Sequence, residues 1–178
     1  ITLRVGDVKA CNITNNDTLI LANKTATSSA VSISGSGEVI KRGAGTHTLS
    51  GTQTYTNLTT VETGVLAFSG TPPTGVISNT GSVTFNPAAS LTHSGRIIGS
   101  GIVTTSASGQ TITLSGSNTF TGGLNVTAGN LALSHNNAAG IGPVTNSSSG
   151  LIYVGNGTVI TNDLTYTTST TDLNLRCD

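Results

Sequence analysis

The chain has 178 residues, a net charge of zero and only 8% charged residues, against about 25% in ordinary soluble domains. A neutral surface lacks the clustered Lys and Arg that nucleic-acid or anionic-membrane binding requires, and no apolar run approaches the roughly 18 residues of a spanning segment. We therefore expect one folded domain over residues 1–178, with no nucleic-acid partner and no insertion into a membrane.

Charged residues are concentrated at the two ends of the chain. Eight of the fourteen lie within positions 1–42 and four within 163–178, which leaves only Glu62 and Arg96 between them. This distribution predicts an elongated body whose ends differ from its middle. Ile1 stands where an initiator methionine would be, which indicates a mature or excised N-terminus.

Short runs of alternating apolar and polar residues, separated by Gly or Asn, predict strands of three to five residues. Thr, Val and Ile favour strands, whereas Gly and Asn favour turns. The predicted strands, in chain order, are 1–5, 46–50, 58–61, 65–68, 83–85, 102–104, 111–115, 124–126, 131–133 and 173–175. The composition is thus that of an all-β fold.

The chain contains an internal repeat with copies at about 35–68 and 99–133. Gly35-Ser-Gly37 returns as Gly99-Ser-Gly101 at an offset of 64, and Leu49-Ser-Gly51 returns as Leu114-Ser-Gly116 at an offset of 65. The later positions follow in the same order: Tyr55, Val61, Gly64, Leu66 and Phe68 match Phe120, Val126, Gly129, Leu131 and Leu133. Coils of about 20 to 22 residues would fit this repeat, which favours a β-solenoid of about eight coils; a β-sandwich is the alternative.

At these residues the sequence resembles the passenger-associated repeat of bacterial autotransporters. The shared pattern is Gly-Ser-Gly, Gly-Ala-Gly-Thr, Leu-Ser-Gly, Thr-Tyr or Thr-Phe, and then Val-x-x-Gly-x-Leu, with the first copy departing at Gln53 and Asn57. The resemblance covers about 35–70 and 91–135. It implies a right-handed parallel β-helix exported to the bacterial cell surface or the extracellular space, and it specifies no molecular activity.

The sequence offers little for catalysis, so we expect a protein that is not an enzyme, without catalytic, cofactor-binding or metal-binding residues. Glu62 and Arg96 are too few for the clustered carboxylates of carbohydrate-cleaving β-helices. The three histidines, His47, His93 and His135, could bind a metal if they stacked on one face. We expect them instead to stand singly on the surface. The chain also has seven Asn-x-Ser/Thr sequences, the pattern of glycosylation acceptors, and this number is expected from its high content of Asn, Ser and Thr.

Cys11 and Cys177 lie near opposite ends of the chain. Eight or so coils at about 4.8 Å each span roughly 40 Å, whereas a disulfide needs Cα atoms within about 7 Å. An intramolecular bridge is therefore excluded in a solenoid whose ends do not fold back. Cys11 and Cys177 are candidates for a disulfide between subunits, since an exported protein meets an oxidising environment.

Three functions remain open at this point. The first is a structural or adhesive surface β-helix that contacts itself, neighbouring cells or host components through neutral Thr, Ser and Asn ladders. The second is an extracellular filament subunit that stacks head to tail and is locked by Cys11 and Cys177, because open solenoid ends present unpaired strand edges. The third is a carbohydrate-active or phage tail-spike-like β-helix.

Overall fold

The structure, a computed structural model, describes residues 2–3, 11–167 and 175–177. The described residues form nineteen strands, numbered β1 to β19 in chain order, and all their pairings are parallel. Paired residues are about 20 positions apart, as between Thr18 and Glu38. Each strand therefore lies on the strand one coil earlier. The predicted parallel β-solenoid of about eight coils is confirmed, and the antiparallel sandwich is wrong.

The strands stack into three faces. Face 1 contains β1 (Thr2–Leu3), β3 (Thr18–Ala22), β6 (Glu38–Arg42), β8 (Thr59–Val61), β10 (Ile77–Asn79) and β13 (Ile97–Ile98). Face 2 contains β4 (Thr27–Ser29), β7 (Thr46–Leu49), β9 (Val65–Phe68), β11 (Ser82–Phe85), the first halves of β14 (Ile102–Leu114) and β15 (Leu124–Leu133), β16 (Val144–Asn146) and β18 (Leu164–Tyr166). Face 3 contains β2 (Asn12–Thr14), β5 (Ser32–Ser34), β12 (Leu91–His93), the second halves of β14 and β15, β17 (Ile152–Val154) and β19 (Leu175–Cys177).

The core runs through the middle of the stack and is filled by alternate residues of each strand. In β7, for example, His47 and Leu49 are buried while Thr46 and Thr48 point outward. Four aromatic side chains, those of Tyr55, Phe68, Phe85 and Phe120, are completely buried within this core. Phe68 and Phe85 stack with ring centroids 5.9 Å apart. The predicted inward packing of aliphatic residues is confirmed for both repeat copies.

Buried asparagines form a recurring bond at the corners. In each case the side-chain amide donates to the carbonyl of the residue 23 positions later, in the next coil. The pairs are Asn15 with Glu38 at 2.8 Å, Asn23 with Thr46 at 2.8 Å, and Asn79 with Ile102 at 2.9 Å. A buried amide that donates in this way ties two coils together where the strand ladder stops.

A Gly-x-Gly sequence begins 20 residues after each of these asparagines, and Gly99-Ser-Gly101 shows why. Gly99 has a φ of +105°, which side-chain-bearing residues rarely adopt. A Cβ on Gly101 would lie 2.6 Å from the side-chain Cγ of Asn79. The glycine pattern that marks the repeat is therefore the complement of a buried Asn one coil earlier, a relation that was not predicted from the sequence.

The two repeat copies occupy different faces of the solenoid. The Glu38–Arg42 strand lies on face 1, whereas residues 102–105, which match it in sequence, lie on face 2. Likewise Thr46–Leu49 lies on face 2, and its counterpart 111–114 lies on face 3. The second copy is thus displaced along the stack and rotated by one face. The repeat prescribes a sequence of strands and corners, not a fixed side of the molecule.

Candidate functional site: the outer surface and the two ends

The outer side of face 2 presents an uncharged column of small side chains. Strand register places one such residue in each of eight successive coils: Ser28, Thr48, Ala67, Thr84, Thr104, Asn125, Thr145 and Thr165. Neighbouring members are about 4.8 Å apart along the stack. Six of the eight carry a hydroxyl, which both donates and accepts hydrogen bonds. The row is interrupted at Ala67, which is buried. The predicted Thr, Ser and Asn ladder is located here.

The chemistry of this column suits repeated weak contacts. The members between Thr84 and Thr145 are half-buried, because each stands between neighbours from the coils above and below. No deep recess or charged group lies in the column, so no single position can provide strong binding. Its exposed neighbours on the same face include the apolar Ile102, which is 42% exposed. A flat partner with a similar spacing would meet many such groups at once.

Cys11 and Cys177 lie at opposite ends of the stack. Cys11 directly precedes β2, and its thiol is exposed and free. Cys177 is the last residue of β19, which pairs with β17 at the other end of face 3; its side chain lies outside the described residues. With about eight coils at roughly 4.8 Å between them, the two cysteines cannot form a bridge within one chain. The predicted bridge between subunits stays a prediction.

The core opens at the C-terminal end into an apolar cavity of about 310 Å³. Its walls are almost entirely aliphatic: Leu133, Val144, Ile152, Val154, Thr158, Val159, Ile160, Asn162 and Leu164. Val159 is 63% exposed and Leu164 is 37% exposed at this opening. The charge distribution along the sequence indicated that the ends are distinctive, but it did not indicate this cavity. The aliphatic positions around 151–154 and 159–160 are the signal that could have indicated it.

The prediction of surface histidines is wrong for two of the three. His47 is fully buried, with Thr27 Oγ1 at 3.1 Å from its Nδ1 and Ser29 Oγ at 3.0 Å from its Nε2. Burial, helped by the charge of Lys41, lowers the pKa of His47 to about 4. The hydroxyls of one coil thus allow a neutral imidazole to occupy an inward strand position. Ser29 is only 3% exposed, so this Ser–His pair faces the core and not a substrate.

His93 is also buried, against the ring of Phe85 with centroids 5.0 Å apart. Its Nε2 has no hydrogen-bond partner among the residues that the structure describes, and burial lowers the pKa of His93 to about 4. His135 is exposed, and its Nδ1 accepts a bond from the backbone N–H of Asn137 at 3.0 Å. The three rings do not meet. Within the described ranges, no group of three or more His, Cys, Asp or Glu is placed to bind a metal.

The two charged residues of the middle region, Glu62 and Arg96, lie apart in the structure. Glu62 accepts two bonds from Arg42, at 2.7 and 3.0 Å, on the outer side of face 1. This ion pair lowers the pKa of Glu62, because the bond from Arg42 favours the carboxylate. Arg96 is exposed two coils further along. An exposed ion pair of this kind contributes little to the stability of the fold, because water screens it.

The structure thus defines a parallel β-solenoid with a neutral, hydroxyl-bearing outer face. The model of the Passenger-associated-transport-repeat family matches residues 39–68 and 108–133, within the two copies that the sequence analysis delimited. These two segments match the model of that repeat family, so the resemblance stated from the sequence is confirmed. No curated protein and no solved structure matches the chain.

Among the described residues, no helix has the length and apolar character needed to cross a bilayer.

Proposed function

We propose that this chain is a non-catalytic segment of an exported bacterial surface protein, and that it acts as a structural and adhesive β-helix. The observation that supports this proposal best is the uncharged column on face 2, which extends over eight coils. The repeat family supports export, because its description associates it with transported passengers. The partners would be a second copy of the chain, a neighbouring cell or a host surface.

The column provides adhesion through many weak contacts and not through a few strong ones. Each exposed hydroxyl exchanges a bond to water for a bond to the partner, so its net contribution is about 1 kcal/mol or less. Many such contacts formed together give a stable association, because the later contacts form within an already joined pair. Neutrality matters equally, since like charges in successive coils would repel across an interface between identical copies.

The test places charge in the column and compares it with a matched position. Thr84→Lys with Thr104→Lys adds two charges in adjacent coils on face 2. Thr92→Lys with Thr113→Lys adds the same two charges in adjacent coils on face 3. Each double variant is coupled to beads, and bead clustering is followed by light scattering beside wild type. We expect clustering to fall at least tenfold for the face 2 variant and to change little for the face 3 variant.

Two results would count against the face 2 column. Equal loss in both variants would indicate a general effect of charge, and no loss in either would mean that the column does not take part. Circular dichroism and thermal melting of each variant establish that folding is retained. Repeating the assay with host cells or extracellular matrix in place of the second bead population distinguishes self-association from host contact.

A second candidate function is a head-to-tail filament. The observation in its favour is that Cys11 is exposed and free at one end of the stack, while the strand containing Cys177 lies at the other end. Oxidised material is run on a non-reducing gel. A ladder of covalent oligomers that collapses on reduction, and that is absent from Cys11→Ser, supports this candidate. A monomer with two reactive thiols excludes the disulfide.

A further inference from the structure

Lys41 is a buried lysine that has no carboxylate partner within the described part of the chain. It occupies an inward position of β6, between Leu21 of the preceding coil and Val61 of the following coil, and its side chain is 0% exposed. Its neighbour Arg42 pairs with Glu62. Among the described residues, Lys41 takes part in no ion pair. Burial lowers the pKa of Lys41, as expected for an ammonium removed from water.

Three backbone carbonyls receive the ammonium of Lys41. Its Nζ donates to the oxygen of Gly43 at 2.8 Å, of Arg42 at 2.9 Å and of Thr63 at 3.4 Å. An ammonium has three N–H donors, so this set matches its bonding capacity. Arg42 and Gly43 belong to the coil of Lys41, whereas Thr63 belongs to the next coil. The charge therefore joins two coils at the corner between face 1 and face 2.

The second repeat copy shows that the strand itself does not require this lysine. The position that matches Lys41, at an offset of 64, is Thr105, which is also completely buried. Its Oγ1 has no hydrogen-bond partner in residues 2–3, 11–167 and 175–177. The strand forms in both copies, although only the first copy has the ammonium. In the second copy the strand continues as β14 through a register shift after Thr105. In the first copy, the backbone carbonyls at the corner thus bind the ammonium of Lys41.

We infer that the corner formed by the carbonyls of Arg42, Gly43 and Thr63 is a binding site for a small monovalent cation of the primary ammonium class, which the chain fills with its own Lys41. The carbonyl oxygens present partial negative charge toward one point inside the fold. A shortened side chain at position 41 leaves both that charge and the space of the lysine stem. A free alkylammonium ion of matching length then occupies the site and restores the link between the two coils.

The test is chemical rescue of Lys41→Ala. Thermal midpoints of the whole chain are measured for wild type and variant in n-propylammonium chloride and in tetramethylammonium chloride at equal concentration. The second ion has the same charge but no N–H group. We expect Lys41→Ala to melt about 5 °C or more below wild type. n-Propylammonium should recover at least half of that loss, whereas tetramethylammonium should recover none.

Lys24→Ala is the matched control, because Lys24 is exposed near the same edge of the solenoid. Its melting point should respond equally to the two salts. Equal rescue of Lys41→Ala by both salts, or the same rescue of Lys24→Ala, overturns the inference. If Lys41→Ala does not fold, Lys41→Met replaces it, since methionine keeps most of the stem and removes the charge. If Lys41→Met melts at the same temperature as wild type, the carbonyls need no cation, and the inference is overturned equally.

Discussion

The two repeat copies have the same pattern of strands and corners but occupy different faces of the solenoid. Residues 38–42 lie on face 1 and their counterparts 102–105 on face 2. Inside the core, the first copy places His47 and Lys41 where the second places Ile112 and Thr105, and all four are buried. This difference between the copies shows that the repeat specifies the positions of strands and corners. The buried polar residues and their hydrogen bonds differ from one copy to the other.

The largest expected effect tests whether both copies contribute equally to the core. Tyr55 and Phe120 match in sequence and are completely buried, although they lie on different faces. Tyr55→Ala and Phe120→Ala should each lower the free energy of unfolding by about 3–5 kcal/mol, because each leaves a large cavity. Urea denaturation measures both. Tyr153→Ala, at an outward position of β17, is the control and should lower the free energy of unfolding much less. A large loss in only one copy would show that the copies are not equivalent.

A smaller effect should appear on acidification. Both His47 and His93 have folded pKa values of about 4, below the ordinary 6.5. Between pH 6.5 and 4 the unfolded chain therefore binds more protons, so stability is complete above pH 6.5 and falls as pH decreases. Over this pH range, each histidine lowers the free energy of unfolding by up to about 3 kcal/mol.

Replacing His47 by the residue of the second copy sharpens this comparison. His47→Ile should reduce the pH dependence of unfolding between pH 6.5 and 4 by about half, and His93→Leu should remove much of the remainder. Denaturant midpoints at several pH values measure the slope. A slope unchanged in both variants would mean that other groups control the acid response.

A still smaller effect concerns the buried amides that match between the copies. Gln53 Oε1 accepts from the backbone N–H of Ile33 at 3.2 Å, and Asn118 Oδ1 accepts from that of Ile97 at 2.8 Å. Gln53→Ala and Asn118→Ala should each cost about 1–3 kcal/mol, because a buried N–H loses its acceptor. Asn57→Ala, on an exposed corner, is the control in the same denaturation assay. If the buried and the exposed variants lose equally little stability, the buried amides do not stabilise the stacking of the coils.

The smallest effect is a gain. Thr105→Val removes a buried hydroxyl that has no hydrogen-bond partner among the described residues, and it keeps the shape of the side chain. We expect a stabilisation of about 1 kcal/mol, because the unpaired group no longer loses its bond to water. Thr104→Val, which faces outward in the same strand, should be nearly neutral. Calorimetric melting of the two variants makes the comparison, and a destabilised Thr105→Val would mean that the hydroxyl has a partner in solution.

Much of the fold could be predicted from the sequence, but little of the candidate site. Residues 65–68 were predicted as a strand and form β9, because their alternation and the flanking glycine are local features. The positions of His47 and His93 were not predicted, since their burial depends on Thr27 and Ser29 from an earlier coil and on Phe85 across the core. Lys41 was not recognised as buried for the same reason.

The sequence by itself determined the class of fold, the two repeat copies and the inward or outward direction of most strand residues. These follow from alternation and from glycine spacing, which are properties of short segments. Only the tertiary structure decided which face each copy occupies, which small residues form one column on face 2, and which carbonyls receive Lys41. The physical reason is that these features depend on the summed lengths of the intervening coils, and coil length varies wherever a corner gains or loses a residue.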